Sequence, residues 1–541
     1  MVCQLYLSSY LLPAAQCDFQ MTAQEKGLLN SISYAGVILS SPLWGFLADT
    51  QGRKKILFLS LAADGIIGVL SSFAPTYGIF LAFRFFNGFF ICSPAAVVYA
   101  YLGEFHNAST RPKAIILVSV FLPLGVVALP GVAWLVIPLT WNFALLGITF
   151  NSWRLFVVLC ALPSLLTCLL LHNLLPESPK FLINQGKVDE ALQVLKAMYV
   201  TNTGNTASKY KVQSISEETD KSVQGLPNSS FLNIIKNIWH QISPLFQKPH
   251  LNMTLLICFL QFGCYTCFNS ILLWLPEVFN NMASYSLSHD GQTTTICESM
   301  SCFVMVQTAM NSTKNNSSSD IPTNISLWAG HINTTDDVFA TESYLNSSWL
   351  SGDDVTQLTP CITTVNPATF QNTLIIGGGM GVINLAIGYI VKWTGRKIIS
   401  FVFLVSAAVS CIVLYFATSW YLVLMLAFFF VCFIAVSSSL LNSSVVDIFP
   451  TSLRAMAVCL TLMAGRTGVV GGSLMIGALI ETRCSLAFVV LSGVSLRSDL
   501  ALASVSRSCP SEESGCVAAS TYVPFDGERH RSDLAKVGES W

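Results

Sequence analysis

Two stretches of this sequence place charges where they could work as a latch. Gly45–Lys54 reads GFLADTQGRK, with Asp49 four residues before Arg53. An acid and a base at that spacing meet across one helical turn, and a pair at a helix end can hold one conformation and release in another. Glu104 and Arg111 bracket GEFHNASTR and are expected in the same network. Gly45 would let its helix pack backbone-close to a neighbour, with Gly52 at the turn. The plainer reading is that Arg53, Lys54 and Lys55 only set membrane topology. A second constellation is Gln261, Tyr265 and Asn269. Spacing of four puts all three on one face of a helix, so the stripe faces either a cavity or a hydrogen-bonding neighbour. Ser438 and Asn442 offer the same groups in another apolar run. Asp64, Arg84 and Arg466 also lie inside apolar runs, where an ionisable residue is expensive and points to function. For Arg84 the alternatives are a fold-stabilising or proton-coupling role and simple snorkelling from a helix end. None of this is bond-breaking chemistry. There is no Walker loop, GxSxG, HExxH or Cys/His cluster, so neither enzyme, cofactor nor metal is expected.

The elements that carry these residues follow from composition. The chain has 541 residues, 53% hydrophobic and 11% charged, with mean hydropathy +0.60. Soluble domains carry roughly 25% charged residues, so lipid covers much of this surface. A net charge of −1 excludes a bulk basic field for nucleic acid. Crossing the bilayer takes about 20 apolar residues. Such runs lie near Gly27–Leu47, Ile56–Ala74, Tyr77–Leu102, Ala114–Leu139 and Trp153–Leu174. They resume near Leu251–Pro276, Phe370–Val391, Ile398–Thr418, Tyr421–Val446 and Ala455–Ile480. Residues 1–15 and Cys484–Leu496 read as incomplete first and last spans, and a chain so cut is expected to transport poorly. Gly186–Tyr199 reads as an amphipathic cytoplasmic helix packed beneath the bundle.

Basic residues cluster in alternate loops, which places those loops and the stretch 176–250 in the cytoplasm. The loop at 283–366 has Lys314 as its one basic residue and carries sequons at Asn311, Asn315, Asn316, Asn324, Asn333 and Asn346. Sequons are acceptors only on the luminal or outer face, so two independent signals agree. Cys297, Cys302 and Cys361 share that oxidising side, and one disulfide is expected among them, with the pair open.

The chain also repeats itself. GYIVKWTGRK at Gly388–Lys397 echoes Gly45–Lys54 at a displacement of 343 residues, and Asp447 and Arg454 echo Glu104 and Arg111 at the same displacement. Gly388, Gly395, Arg396, Asp447 and Arg454 are therefore expected to form a second gating set, in which Lys392 stands where the first copy has Asp49. Repeats of this kind place a substrate near the midplane, between the halves.

These motifs resemble the major facilitator superfamily, whose signature loop matches Gly45–Lys54. PESPKFL at Pro176–Leu182, SWRLFVVLCALP at Ser152–Pro163 and LPESPKFLINQGKVDEALQVLK at Leu175–Lys196 are similar to the synaptic vesicle glycoprotein family and related sugar and organic cation porters. The resemblance implies an all-α membrane protein of the major facilitator fold, two six-helix halves with spans one, four, seven and ten lining a cavity. It makes Arg84, Trp134, Gln261, Tyr265, Asn269, Ser438 and Asn442 the cavity candidates, Asn442 standing where the family carries a carboxylate. The expected domains are an N-terminal half at 1–175, a central loop at 176–250, a C-terminal half at 251–496 with the luminal loop 283–366, and a divergent polar tail at 497–541. The expected function is secondary transport of a small organic solute, with or without a coupling ion, across a plasma or vesicle membrane. The alternative is a non-transporting vesicle-membrane glycoprotein that acts as regulator or receptor. Orientation is checked directly: glycosidase treatment of the cell-expressed chain should increase its gel mobility, and an unchanged band would reverse the assignment.

Overall fold

The apolar runs fold as long helices. A computed structural model describes residues 1–508, except most of 108–120, most of 211–241, 302–364 and the positions 146, 249, 290, 395, 450 and 481. The six loop sequons, Cys302, Cys361, Arg111, Gly395 and the tail from 509 lie outside the described residues.

Six long helices precede the central stretch: α1 (Val2–Phe19), α2 (Ala23–Gln51), α3 (Arg53–Ser71), α4 (Tyr77–Glu104), α5 (Phe121–Val136) and α6 (Ser152–Leu174). A two-stranded hairpin, β1 (Asn142–Leu145) with β2 (Ile148–Asn151), enters α6. Two short helices follow, α7 (Pro179–Asn184) and α8 (Val188–Thr203). Six more long helices complete the described chain: α9 (Leu251–Ser288), α10 (Pro367–Thr394), α11 (Arg396–Phe416), α12 (Trp420–Ile448), α13 (Thr451–Leu479) and α14 (Cys484–Ser508). Among the described residues, eight of these helices are long and apolar enough to cross a membrane.

Local chemistry sets the helix ends. Thr22 Oγ accepts from the Glu25 amide at 3.3 Å while the Glu25 carboxylate accepts from the Thr22 amide at 2.8 Å, a capping box that starts α2. Gly52, at φ +103°, turns the chain from α2 into α3. Arg154 donates to the carbonyls of Ser72 and Ala74 at 2.7 and 2.9 Å, where the C-terminal end of α3 favours a cation.

Helix α14 runs 25 residues, to Ser508, but its apolar part, Cys484–Ser498, stays shorter than a membrane span, as expected. Two expectations are corrected. Helix α9 does not stop at Pro276 but continues to Ser288; a membrane helix tolerates proline when its neighbours re-satisfy the freed backbone group. The disulfide joins Cys297 to Cys484, so the partner sits at the start of α14 rather than in the loop. Proximity of the two helix ends decided that pairing, which spacing along the chain could not show.

Close packing also falls elsewhere than expected. A Cβ on Gly45 would meet nothing within 4 Å. The intimate crossing of α2 on α4 lies instead at Gly36 and Gly88, where an added Cβ would stand 2.3 Å from the Phe85 carbonyl and 1.9 Å from that of Ser33. Gly88→Ala should therefore push α2 from α4 and lower the thermal midpoint of the solubilised chain, at a cost of about 1–3 kcal/mol. Gly45→Ala, at the open position, should leave the midpoint where it was.

Candidate functional site

At mid-depth the helices converge on Asn269 of α9. The Tyr6 hydroxyl of α1 donates to Asn269 Oδ1 at 3.0 Å, and the Tyr34 hydroxyl of α2 reaches the same oxygen at 3.5 Å. Asn269 Nδ2 donates to the Tyr265 carbonyl at 3.2 Å. Two turns along α9, Gln261 Nε2 donates to Asn442 Oδ1 of α12 at 3.2 Å. The Tyr265 phenol stands against both amides, and Arg466 of α13 lies near enough to act electrostatically on Tyr34 and Tyr265. Gln261 Oε1 is buried with no hydrogen-bond partner. The stripe on α9 thus faces side chains from helices on both sides of the central stretch.

Other candidates lie apart from this cluster. Arg84 is fully buried and does not snorkel. Its Nη1 donates to Gln4 Oε1 at 2.9 Å and its Nη2 to the Gln4 carbonyl. Asn87 Nδ2 donates to Asp64 Oδ1 at 3.1 Å, and Ser164 Oγ donates to Asp64 Oδ2 at 2.6 Å. Four helices, α1, α3, α4 and α6, are tied by this network. Ser438 Oγ turns back to the Ala435 carbonyl of its own helix at 3.1 Å. Trp134 is 42% exposed on α5.

The latch at the end of α2 is built around an acid that sequence reasoning passed over. Arg53 pairs with Asp49 at 2.9 Å and with Glu104 at 3.2 Å, and its guanidinium lies over the Phe181 ring at 5.3 Å. Glu177 accepts from the backbone amides of Lys54 at 3.0 Å and Lys55 at 3.4 Å, so a carboxylate caps the positive end of α3. A Cβ at Gly52 would fall 2.6 Å from Glu177 Oε2, so Gly52 also makes room for the cap. Asp49 is 72% exposed against 12% for Glu104. The side chains of Arg396, Asp447 and Arg454 lie outside the described residues. Gly388 is exposed, and a Cβ there would meet nothing within 4 Å.

The opposite end of the bundle is closed by a pair that sequence reasoning also missed. Lys26 Nζ of α2 meets Glu277 Oε1 of α9 at 2.5 Å, with both side chains at most 5% exposed. Asn30 Nδ2 donates to the Leu273 carbonyl at 3.3 Å, and Ser473 Oγ of α13 to the Gly27 carbonyl at 3.1 Å. An added Cβ on Gly27 would stand 3.2 Å from Gly477 Cα. Side-chain hydrogen bonds between the first six long helices and the last six are made by Tyr6, Lys26, Asn30 and Tyr34 and to the carbonyl of Gly27.

The sequence profile of the Major Facilitator Superfamily matches residues 1–314. The chain belongs to the major facilitator superfamily. It is a multi-pass membrane protein. Among similar proteins, synaptic vesicle glycoprotein 2B of Mus musculus is 30% identical over 291 residues, which cover 51% of this chain and 42% of that protein. Synaptic vesicle glycoprotein 2C of Mus musculus is 30% identical over 301 residues, covering 52% and 41%. The major facilitator chain thus spans less than half the length of these relatives. The xylose transporter XylE from E. coli, in a partially occluded inward-open conformation, superposes with a TM-score of 0.57 at 14% identity, over 92% of this chain and 96% of that one. At that identity the likeness shows the fold alone.

Within the latch, burial ranks the acids. Exposed pairs contribute about 0–1 kcal/mol, whereas a carboxylate holding helix-end amides typically contributes about 0.5–2 kcal/mol. Asp49→Asn should barely change the distance between spin labels placed across this end of the bundle. Glu177→Gln should broaden that distance distribution, and equal effects of the two substitutions would remove the cap from the latch.

Proposed function

We propose that this chain is a secondary transporter of a small organic solute that works by alternating access between two six-helix halves, 1–175 and 251–496. The carrying observation is the cluster at Asn269, where Tyr6 and Tyr34 from one side meet α9 from the other, with α9 tied in turn to α12 through Gln261 and Asn442. Polar groups in lipid are retained where they are bonded or line a cavity, and this cluster sits where major facilitator halves meet. The seal at Lys26 and Glu277 supports a state shut on the luminal side and poised toward the cytoplasm, with 283–366 as the luminal loop and 176–250 as the cytoplasmic one. On this reading Arg53, Glu104 and Glu177 latch the cytoplasmic end of the first half, and Arg396, Asp447 and Arg454 serve the second.

The seal makes the mechanism testable. Removing one member of a buried ion pair costs about 3–5 kcal/mol, because the other charge is left uncompensated. Glu277→Gln should therefore favour the conformation that wets Lys26. Spin labels at Gln24→Cys and Thr482→Cys should move apart in that variant, and the exchanged pair Lys26→Glu with Glu277→Lys should bring them back. Distances that stay fixed in every variant, in chains that accumulate no solute against a gradient, would favour the non-transporting receptor or regulator.

A further inference from the structure

The charges inside the membrane are nearly all balanced. Lys26 has Glu277 at 2.5 Å, and Arg154 has Asp18 at 3.8 Å. Arg84 is linked to Asp64 through Asn87, which accepts from Arg84 at 3.5 Å and donates to Asp64 at 3.1 Å. Arg466 differs from these. It lies halfway along α13, half-buried, and among the described residues it has no carboxylate within ion-pair distance.

What surrounds Arg466 is neutral and rich in donors. The preceding residue, Gly465, backs onto the stripe of α9: a Cβ there would stand 3.0 Å from the Tyr265 ring and 3.2 Å from Gln261 Cγ. Arg466 lies within electrostatic range of the Tyr34 and Tyr265 phenols, and Tyr6 shares Asn269 with Tyr34. Gln261, Asn269 and Asn442 contribute amides. The buried Gln261 Oε1 is an incomplete hydrogen-bonding shell in the same place. As placed it would accept from a ligand hydroxyl; turned end for end, the amide would donate to a ligand oxygen instead.

We propose that this site takes a small organic anion, a carboxylate or sulfonate on a flat apolar body, whose charge is held by Arg466 and whose body lies among Tyr6, Tyr34 and Tyr265. The proposal rests on the transporter reading of the same cluster and adds the sign of the solute. An uncompensated cation near mid-membrane is costly. A bound anion removes that cost and replaces it with charge-assisted hydrogen bonds, whereas an organic cation would add a second like charge. Tyrosine faces supply the contact for the apolar body.

The test separates the sign of the ligand from transport itself. The full chain in nanodiscs is titrated with benzoate and benzenesulfonate, and with benzamide and benzylammonium as neutral and cationic matches of similar size. The anions should bind and raise the thermal midpoint, and the other two should not. Arg466→Gln should weaken anion binding by about ten- to a hundredfold, the range expected for a hydrogen bond to a charged group. Arg466→Lys, which keeps the charge, should recover part of it and guards against misfolding of the first variant. Binding by benzylammonium or benzamide alone, by no compound, or equally by wild type and Arg466→Gln would overturn the proposal. Anion binding without gradient-driven uptake would leave the anion site standing and remove the transport reading. Uptake of benzylammonium would do the reverse.

Discussion

An ionised or unbonded polar group in the hydrocarbon has no water to turn to, and that cost organises this molecule. Nearly every charge that enters the membrane is met by another helix: Lys26 by Glu277, Arg154 by Asp18, Arg84 by Gln4 and the Asn87–Asp64 bridge. Each partner comes from a different helix, so satisfying the charge also fixes which helices are neighbours. The first helices are tied into one body by the Arg84 network and by the glycine crossing of α2 on α4.

The two ends of the bundle use the same physics with different solvation. At the Lys26 end the ion pair is dry, so it is strong as a lock and expensive to leave half-made. The Arg53 end is wet on the side of Asp49 and drier at Glu104 and Glu177. There the carboxylate of Glu177 contributes by capping a helix rather than by pairing with a single cation. Between the ends lies the cluster at Asn269, neutral except for Arg466. Among the described residues, Arg466 has no carboxylate within ion-pair distance, and the proposed anion would supply that missing charge.

Membership in the major facilitator superfamily agrees with this arrangement but does not choose a solute. Fold alone does not fix function. The chain-specific information is in the identity of those side chains: three tyrosines, three amides and one arginine.

Much of this was legible in one dimension. Apolar runs of membrane length have a single stable outcome in lipid, the helix, and a repeated motif at constant displacement needs no coordinates to be seen. The stripe Gln261–Tyr265–Asn269 was readable because helical periodicity is local. What the sequence could not show is which distant residues meet. Lys26 and Glu277 lie just outside the runs of Gly27–Leu47 and Leu251–Pro276, and no local pattern pairs them; α2 and α9 side by side do. Tyr6 and Tyr34 carry no local signal that they share Asn269. Gly45 carried the motif but Gly36 and Gly88 carry the crossing, and Cys297 found Cys484 rather than a neighbour in its loop. Local patterning follows from the chemistry of successive residues, whereas partner choice follows from how helices pack; only the tertiary structure could decide the second.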